Sequence, residues 1–321
     1  MKRIVYLGVT VALLGLTTTL VQAQTTENLV SKSTTSILER GQEKYAGGDY
    51  GGAIADFSNA INLSPGLARA YYNRGLARHK LGDRDGAFTD FNHSIQLDSN
   101  QADFYVNRGL IHAELQSYQQ ALQDYDLGLE LEPENSSAYN YRGETKAKLE
   151  DFTGAITDYT IAIFLEPRNT KAYLNRGLLY SQLGNNKLAL EDFNQLQQLN
   201  PKSAEVYRYR GIVLRQMGEY SGAIVDYEIA LSLNPNDSLT YYNRAIALAS
   251  QKQYFLAIQD YNQAIKLNPN LAIAYGNRGL LHREMGNLSG ANEDLRQAAK
   301  LFFDQGKMED YFKVLAVLRN F

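Results

Sequence analysis

Residues 68–101 read ARAYYNRGLARHKLGDRDGAFTDFNHSIQLDSNQ, and this pattern returns every 34 residues from Thr34 to Gln305. Every copy has Arg at position 7, Ala at position 20 and Asp at position 23, and every copy except one has Gly at position 8. All six prolines fall at position 32. A fixed period of this length indicates an array of one supersecondary unit. The consecutive repeats are 34–67, 68–101, 102–135, 136–169, 170–203, 204–237, 238–271 and 272–305.

Each repeat is predicted to be a pair of helices. At about 100° per residue, positions 4, 7, 8 and 11 share one face of a first helix, and positions 20, 24 and 27 share one face of a second helix. Leu81-Gly82-Asp83 lies between the two helices and is typical of a turn. Pro at position 32 cannot continue a helix and ends the second one. Because a single hairpin cannot cover its own apolar faces, neighbouring hairpins are expected to stack.

The repeat resembles the tetratricopeptide repeat family. In residues 68–101 the small and aromatic positions of that family are filled by Tyr71, Gly75, Ala87 and Phe91. The second repeat departs from the pattern with Ser at positions 27 and 32. The resemblance covers 34–305 and implies an all-α fold, a right-handed superhelical solenoid of eight helix-turn-helix repeats.

The segment after the last repeat, 306–321, is predicted to be a capping helix. The eighth repeat lacks the aromatic at position 24 and the Pro at position 32, as expected of the last unit in an array. Met308, Phe312, Leu315 and Leu318 recur at helical spacing, so they are expected to face the final hairpin.

The N-terminus has the layout of a secretory signal. Residues 1–23 begin with Lys2 and Arg3, continue with an apolar stretch and end in Val-Gln-Ala, which suits cleavage after Ala23. The alternative is an uncleaved segment that anchors the chain in a membrane. Residues 24–33 are polar and are interpreted as a tether. The sequence therefore predicts an exported protein that is periplasmic, secreted or attached to the cell envelope.

Composition excludes several classes of function. With 32 Lys and Arg against 35 Asp and Glu, the net charge is −3, so no basic excess favours nucleic acid. The chain has no Cys, and its four His lack metal-ligand spacing. It has no phosphate-binding loop, dinucleotide fingerprint or nucleophile elbow. We therefore predict no cofactor, no metal and no enzymatic activity.

The Arg at position 7 and the Asp at position 23 are predicted to be structural. Position 7 lies with the packed face of the first helix and position 23 flanks that of the second, so the two can pair between helices. The alternative is a charged track for a ligand. Whether each Arg pairs within its own repeat or with a neighbour is open at this point. The residues concerned include Arg74, Asp90, Arg108, Asp124, Arg142, Asp158, Arg176, Asp192, Arg210 and Asp226.

Positions 2, 5, 6, 9, 12 and 13 lie on the opposite side of the first helix, which the resemblance places on the concave wall. An Asn amide there offers an acceptor and two donors to a peptide backbone, and apolar neighbours can accept its side chains. The alternative is that Asn merely tolerates solvent and that position 9 packs against the next first helix. The predicted peptide-binding residues are Asn73, Asn107, Asn175, Asn243, Asn277, Tyr72, Tyr141, Tyr209, Tyr242, Leu76, Leu110, Leu178, Ile212 and Ile246.

The partner is predicted to be a protein or peptide. Family members that clamp a C-terminal carboxylate use Lys at position 5 with Asn at 9, then Lys at 2 with Arg at 6. The nearest candidates here are Arg208 with Ile212 and Lys171 with Asn175, so binding of chaperone tails is not expected. The hypothesis is a scaffold that binds extended segments and organises an envelope complex. The alternatives are a polysaccharide-binding or polymer-export module, suggested by 23 Tyr, and an accessory subunit of an enzyme.

Overall fold

The computed structural model describes residues 31–319, so the predicted signal peptide lies outside the described residues. Within 31–319 the regular structure is helical and no strand occurs, which confirms the all-α prediction. The chain divides into two compact units, whose described parts are 31–158 and 159–319. The division falls inside one helix, Phe152–Leu165.

Each predicted repeat contains two helices. The first helices are α1 (31–46), α3 (Ala68–Lys80), α5 (Ala102–Glu114), α7 (Ser136–Lys148), α9 (Thr170–Gln182), α11 (Ala204–Gln216), α13 (Ser238–Ser250) and α15 (Ala272–Glu284). The second helices are α2 (Tyr50–Leu63), α4 (Arg84–Leu97), α6 (Tyr118–Leu131), α8 (Phe152–Leu165), α10 (Asn186–Leu199), α12 (Tyr220–Leu233), α14 (Tyr254–Leu267) and α16 (Leu288–Asp304), and α17 (Met308–Leu318) follows. Helix α1 includes residues 31–33, which the sequence analysis assigned to the tether; there the Thr35 hydroxyl donates to the Ser31 carbonyl at 3.0 Å.

The turn inside each repeat has a left-handed residue at position 15. Gly occupies this position in five repeats, for example Gly82 with φ of 83°, because Gly has no Cβ that opposes positive φ. Gln116, Glu150 and Lys252 adopt the same conformation in the other three repeats. The next residue often caps the second helix, as where the Asp83 carboxylate accepts from the Gly86 N–H at 2.9 Å.

Within a repeat the two helices pack through small residues and one ring. Ala at position 20 is fully buried in all repeats, and the aromatic at position 24 lies over the Gly at position 8. A Cβ on Gly75 would lie 2.7 Å from the Phe91 ring, and one on Gly211 would lie 2.6 Å from the Tyr227 ring. At Gly75 and Gly211 the absence of a Cβ therefore leaves room for the ring, whereas the seventh repeat packs Ala245 in one cluster with Tyr261.

Contact between repeats uses positions that the helical wheel did not identify. From the second repeat onward, positions 3 and 10 of the first helix are buried, and they pack against the second helix of the preceding repeat. Phe104 and Ile111, for example, join the cluster of Phe91 and Ala87. Such second-to-first contacts join α2 to α3, α4 to α5 and α6 to α7 in one unit, and α10 to α11, α12 to α13 and α14 to α15 in the other.

The Arg at position 7 binds the Asp at position 23 of its own repeat, which settles the pairing that the sequence left open. In all eight repeats the Nε and Nη2 groups donate to the two carboxylate oxygens, with Nε···Oδ2 distances of 2.7–3.0 Å. We call these pairs the ladder: Arg40–Asp56, Arg74–Asp90, Arg108–Asp124, Arg142–Asp158, Arg176–Asp192, Arg210–Asp226, Arg244–Asp260 and Arg278–Asp294.

The same Arg also joins neighbouring repeats. Its Nη1 donates to position 25 of the preceding repeat, as from Arg108 to Asn92 at 2.8 Å and from Arg210 to Asn194 at 3.1 Å. The Tyr at position 4 was expected in the core but is half-buried in most repeats, because its ring lies beside this guanidinium. The guanidinium carbon of Arg142, for example, lies 5.3 Å from the centroid of the Tyr139 ring.

The last helix packs through only part of the predicted face: Leu315 and Leu318 are half-buried, but the other two predicted residues are exposed. Phe312 is 60% exposed and Met308 is 40% exposed, so neither faces the final hairpin as expected. Tyr311 and Val314 pack instead against the cluster of Ala298 and Phe302 on α16. Helical spacing alone does not distinguish these adjacent apolar faces, and the position of α16 decides between them.

Candidate functional site

The candidate site is the groove face, defined as positions 2, 5, 6, 9, 12 and 13 of the first helices. In the first unit α5 contacts α7, and in the second unit α11 contacts α13 and α13 contacts α15. Because first helices lie side by side within each unit, their groove faces form a continuous surface there. The residues predicted to bind peptide are on this surface, but their environments differ.

Two of the predicted Asn residues are held by a predicted Tyr of the preceding repeat. The Asn107 Nδ2 donates to the Tyr72 hydroxyl at 3.0 Å and to the Asp103 carbonyl at 2.8 Å. The Asn277 Nδ2 donates to the Tyr242 hydroxyl at 3.1 Å. In both pairs the amide nitrogen is engaged, so the side-chain oxygen is the group left to accept from a ligand N–H.

Asn243 and Asn73 lack this Tyr partner. Asn243 donates to its own helix, at the Leu239 carbonyl, with a distance of 2.8 Å. Asn73 is 8% exposed and its Nδ2 has no hydrogen-bond partner in the described chain, because the preceding repeat has Leu38 at position 5. Asn175 is half-buried. The five Asn residues were predicted to be equivalent, but their environments in the structure differ.

The predicted Tyr residues pack one side of the ring against an aromatic at position 24 or its neighbours. Tyr72 is buried, with its ring centroid 4.8 Å from that of Phe104. Tyr209 stacks on Phe193 with the ring centroids 5.8 Å apart, and the Arg208 guanidinium lies 4.6 Å from the centroid of the Tyr209 ring. Tyr141 lies 6.3 Å from Tyr125 in the same way.

The predicted apolar residues at position 9 are half-buried along the groove face: Leu76, Leu110, Leu178, Ile212 and Ile246. In the second unit one of them lines a cavity of about 630 Å³ together with a predicted Asn. Ile246, Asn277, Leu280 and Glu284 contribute to this cavity, and so does Tyr261 from position 24 of the second helix. It thus brings together predicted residues of the seventh and eighth repeats.

An apolar cavity of about 240 Å³ adjoins it and shares Asn277 and Leu280. Its remaining wall includes Phe302 of α16 and Val314 and Val317 of α17. The sequence analysis missed these residues because it treated α17 only as a cap, whereas α17 lies beside α15 as a further first helix would. The amphipathic spacing of 308–318 was the available signal.

A cation without an acidic partner lies near these cavities. No carboxylate in the described chain pairs with Arg215, at position 12 of α11. Its Nε is buried and makes no hydrogen bond, and the hydroxyl of the fully buried Tyr227 is also without a partner. Burial raises the pKa of Tyr227 to about 12, while the charge of Arg215 opposes the rise. Arg215 also lowers the pKa of Tyr242 and Tyr261 against the larger effect of burial.

The first unit contains a corresponding buried Tyr, but the charge beside it is negative. Tyr125 is fully buried and its hydroxyl also lacks a partner. Burial raises the pKa of Tyr125, and the Glu144 carboxylate at position 9 of α7 adds to this rise. Asn140 donates to Glu144 at 2.7 Å. The groove face therefore differs in charge between the two units, although the ladder is the same.

A wider cavity of about 1010 Å³ lies between α15 and α16. It includes Arg278 and Asp294, which already bind each other in the ladder, and exposed polar residues of α16. Among residues 31–319 no cluster of His, Asp or Glu could hold a metal ion, and no helix is both long and apolar enough to span a bilayer. The groove face is the better candidate, because its polar groups are not all paired.

Family models for repeats of this kind match much of the chain. A model described as TPR repeat matches 41–82, 211–252 and 247–286. Models described as tetratricopeptide repeat match 170–203, 68–101 and 102–135. The last three ranges have the boundaries predicted from the 34-residue period. No curated protein matches the chain.

Several solved structures have the same fold. A tetratricopeptide repeat protein from Parabacteroides merdae is 20% identical, with a TM-score of 0.56 over 78% of this chain and 99% of that one. YrrB, described as a TPR protein with an unusual peptide-binding site, is 22% identical, with a TM-score of 0.51 over 57% of this chain and 95% of that one. The Cut9–Hcn1 assembly contains a chain that is 19% identical, with a TM-score of 0.58 over 83% of this chain and 52% of that one. At these identities the likeness concerns the fold alone.

Proposed function

Because the chain belongs to the tetratricopeptide repeat family, we propose that it binds extended segments of a partner protein along its groove face and has no catalytic step. Tetratricopeptide repeats generally serve as non-enzymatic scaffolds for protein interaction. The peptide-binding site named for YrrB concerns a neighbour of the same fold and supports the same type of ligand.

The observation that carries this proposal is the pair of adjoining cavities in the second unit. The 240 Å³ cavity is mainly apolar and has room for a side chain, while the 630 Å³ cavity offers polar groups beside Ile246. Asn277 and Leu280 lie at their junction. An extended chain advances about 3.3 Å per residue, so a short segment can fill both cavities.

The Asn and Tyr pairs give this surface a way to bind a main chain of any sequence. With its Nδ2 bound to Tyr242, Asn277 presents an acceptor for a backbone N–H. The Tyr hydroxyl accepts that bond, so its own hydrogen is free to donate to a backbone carbonyl. In each pair the Tyr holds the Asn side chain in place before a ligand binds, which reduces the entropy lost on binding.

We further propose that the protein works outside the cytoplasm and assembles or organises a complex of the cell envelope. The support is the signal-like segment 1–23, with its basic start, short apolar run and Ala23. Fractionation of cells that express the full chain, with N-terminal sequencing of the product, tests this part. We expect an envelope or secreted product that begins at residue 24; a cytoplasmic product that retains residues 1–23 would contradict it.

Peptide binding is tested by selection from a random peptide library on the purified chain. The peptides are fused through their C-termini to the carrier, so no free terminal carboxylate is present. For selected peptides we expect Leu280→Ala to weaken binding by about tenfold, since a Leu side chain that covers a ligand contributes roughly 1.5–3 kcal/mol. Leu280 is 38% exposed, so its truncation should leave the fold intact.

Leu256→Ala is the matched control, because Leu256 is similarly exposed but lies on α14, outside the two cavities. It should bind the selected peptides like the parent chain. Failure to select any peptide, or equal binding by the Leu280 and Leu256 variants, would contradict the proposal. Retention of envelope polysaccharide by a chain that selects no peptide would favour the polymer-binding alternative.

A further inference from the structure

At and behind the groove face of the second unit lie buried hydrogen-bonding groups that the fold does not use. The Arg215 Nε and the Tyr227 hydroxyl are both enclosed, and neither makes a hydrogen bond of normal geometry, although the Arg215 guanidinium approaches the hydroxyl closely enough to lower its pKa against the effect of burial. A buried group that loses its bonds to water without replacement is costly, by about 1–3 kcal/mol. Arg215 as a whole is only half-buried, and its position 12 belongs to the groove face.

The acidic residues of the sixth repeat that form ion pairs do so with other cations. Asp237 and Glu205 lie 3.2 and 3.7 Å from nitrogens of Arg208. Asp226, next to Tyr227 in sequence, accepts two hydrogen bonds from Arg210. The positive charge of Arg215 is therefore not neutralised by the described chain.

We propose that Arg215, with Tyr227 behind it, binds an acidic side chain of the peptide segment held in the groove. This inference rests on the proposed peptide binding and adds to it the charge of one ligand residue. A carboxylate suits the site because a guanidinium offers it two parallel N–H groups. When the guanidinium turns toward the ligand, the Tyr227 hydroxyl can accept a hydrogen bond from Nε, so Tyr227 acts as a positioning residue.

Arg215 is connected to the two cavities by a row of side chains. Ile224 packs against both the cluster that contains Tyr227 and the cluster that contains Tyr261. The charge of Arg215 lowers the pKa of Tyr242 and Tyr261 against the effect of burial. The Tyr242 hydroxyl binds Asn277, and Tyr261 and Asn277 both line the 630 Å³ cavity. A segment that places an apolar residue in the 240 Å³ cavity can therefore extend through the larger cavity toward Arg215.

The first unit shows that this cation is a local feature and not part of the repeat. The residue that corresponds to Arg215 beside Tyr125 is Ala113, and the groove charge there is Glu144. In the second unit Ile246 occupies the position that Glu144 has in its repeat. The acidic preference is thus expected from the groove of the second unit alone.

The test compares peptide selections on the parent chain, Arg215→Gln and Arg168→Gln. Arg168 is exposed in the turn after α8, so its variant controls for the loss of one charge. We expect peptides from the parent to be enriched in Asp or Glu at one position. Replacing that residue by Gln or Asn should weaken binding by about tenfold, the lower range for a hydrogen bond to a charged group. This difference should vanish in Arg215→Gln and persist in Arg168→Gln.

Tyr227→Phe separates the positioning role from stability. The hydroxyl has no partner in the free protein, so its removal should not lower the unfolding midpoint, yet it should reduce the preference for an acidic residue. Peptides that bind with no acidic preference, or a preference that survives in Arg215→Gln, would overturn the inference but leave peptide binding intact. If inorganic phosphate protects the parent against unfolding through Arg215 while no acidic peptide binds, the site takes a free anion and the inference is also wrong.

Discussion

The ladder has different surroundings in the two units. In the first unit, position 11 supplies a second cation to the ladder carboxylate from Lys44, Arg78 or Lys146, at 2.7–2.8 Å. His112 occupies this position in the third repeat, but burial lowers its pKa. In the second unit the same position is Tyr180, Leu214 or Leu248 in the fifth to seventh repeats. The ladder pair itself is unchanged.

This difference shows which part of the pattern the fold needs. One bidentate Arg fixes the register of the two helices in every repeat. The second cation compensates further for burial of the carboxylate, and its loss has an electrostatic consequence. Two hydrogen-bonding cations lower the pKa of Asp56, whereas burial outweighs the single Arg176 and raises the pKa of Asp192.

The largest effect is expected from removal of a carboxylate that neutralises two cations. Asp158→Ala would leave Arg142 and Lys146 without their shared partner, and breaking a buried pair costs about 3–5 kcal/mol. Asp192→Ala leaves one cation and removes a carboxylate that burial already disfavours, so it should cost less. Urea unfolding followed by circular dichroism gives both values.

The exposed Lys148→Ala is the control for these two variants and should shift the midpoint little. An Asp158 variant no less stable than this control would show that the ladder contributes nothing to the fold. Equal losses for the Asp158 and Asp192 variants would show that the second cation has no role in stability.

The repeats were predictable because their signals are local and recur eight times. The period, the Ala at position 20 and the ring at position 24 each follow from spacing within one repeat, and the structure buries both sets of residues. Positions 3 and 10 were missed because their partner is the preceding second helix. Side chains as different as Ala70, Thr240 and Phe104 fill these positions, so one helical wheel does not reveal them.

The candidate site was predictable in place but not in detail. The wheel placed Asn277 and Ile246 on the same side of the first helices, and both line one cavity. It could not show that the Tyr242 hydroxyl accepts a hydrogen bond from the Asn277 amide, because that contact joins residues 35 positions apart. Arg215 was overlooked since an Arg at one position of one repeat looks like a solvated residue until its neighbours are known.

The pH dependence of stability should have opposite signs for Asp56 of the first unit and Asp192 of the second. For Asp56 the folded pKa lies below the unfolded value of about 3.9, so its contribution is present above that pH and is lost as the pH falls through the folded pKa. The stability gap between the parent and Asp56→Asn should therefore shrink below about pH 4. For Asp192 the folded pKa is raised. The free energy of unfolding of the parent should therefore increase relative to that of Asp192→Asn as the pH falls. Urea unfolding at pH 7 and pH 3 measures both gaps, and equal pH trends would contradict the contrast.

The smallest effect is expected when the residue at position 11 in a repeat of the first unit is replaced by the Leu that occupies this position in two repeats of the second unit. Lys146→Leu removes one of the two cations at Asp158 but retains the bidentate Arg142. The lost bond contributes about 1 kcal/mol, and the apolar side chain that replaces the half-buried Lys offsets part of it. The midpoint should therefore fall far less than in Asp158→Ala, with the exposed Lys148→Leu as the matched control. A loss as large as that of Asp158→Ala would mean that Leu214 and Leu248 are tolerated only because the second unit is packed differently.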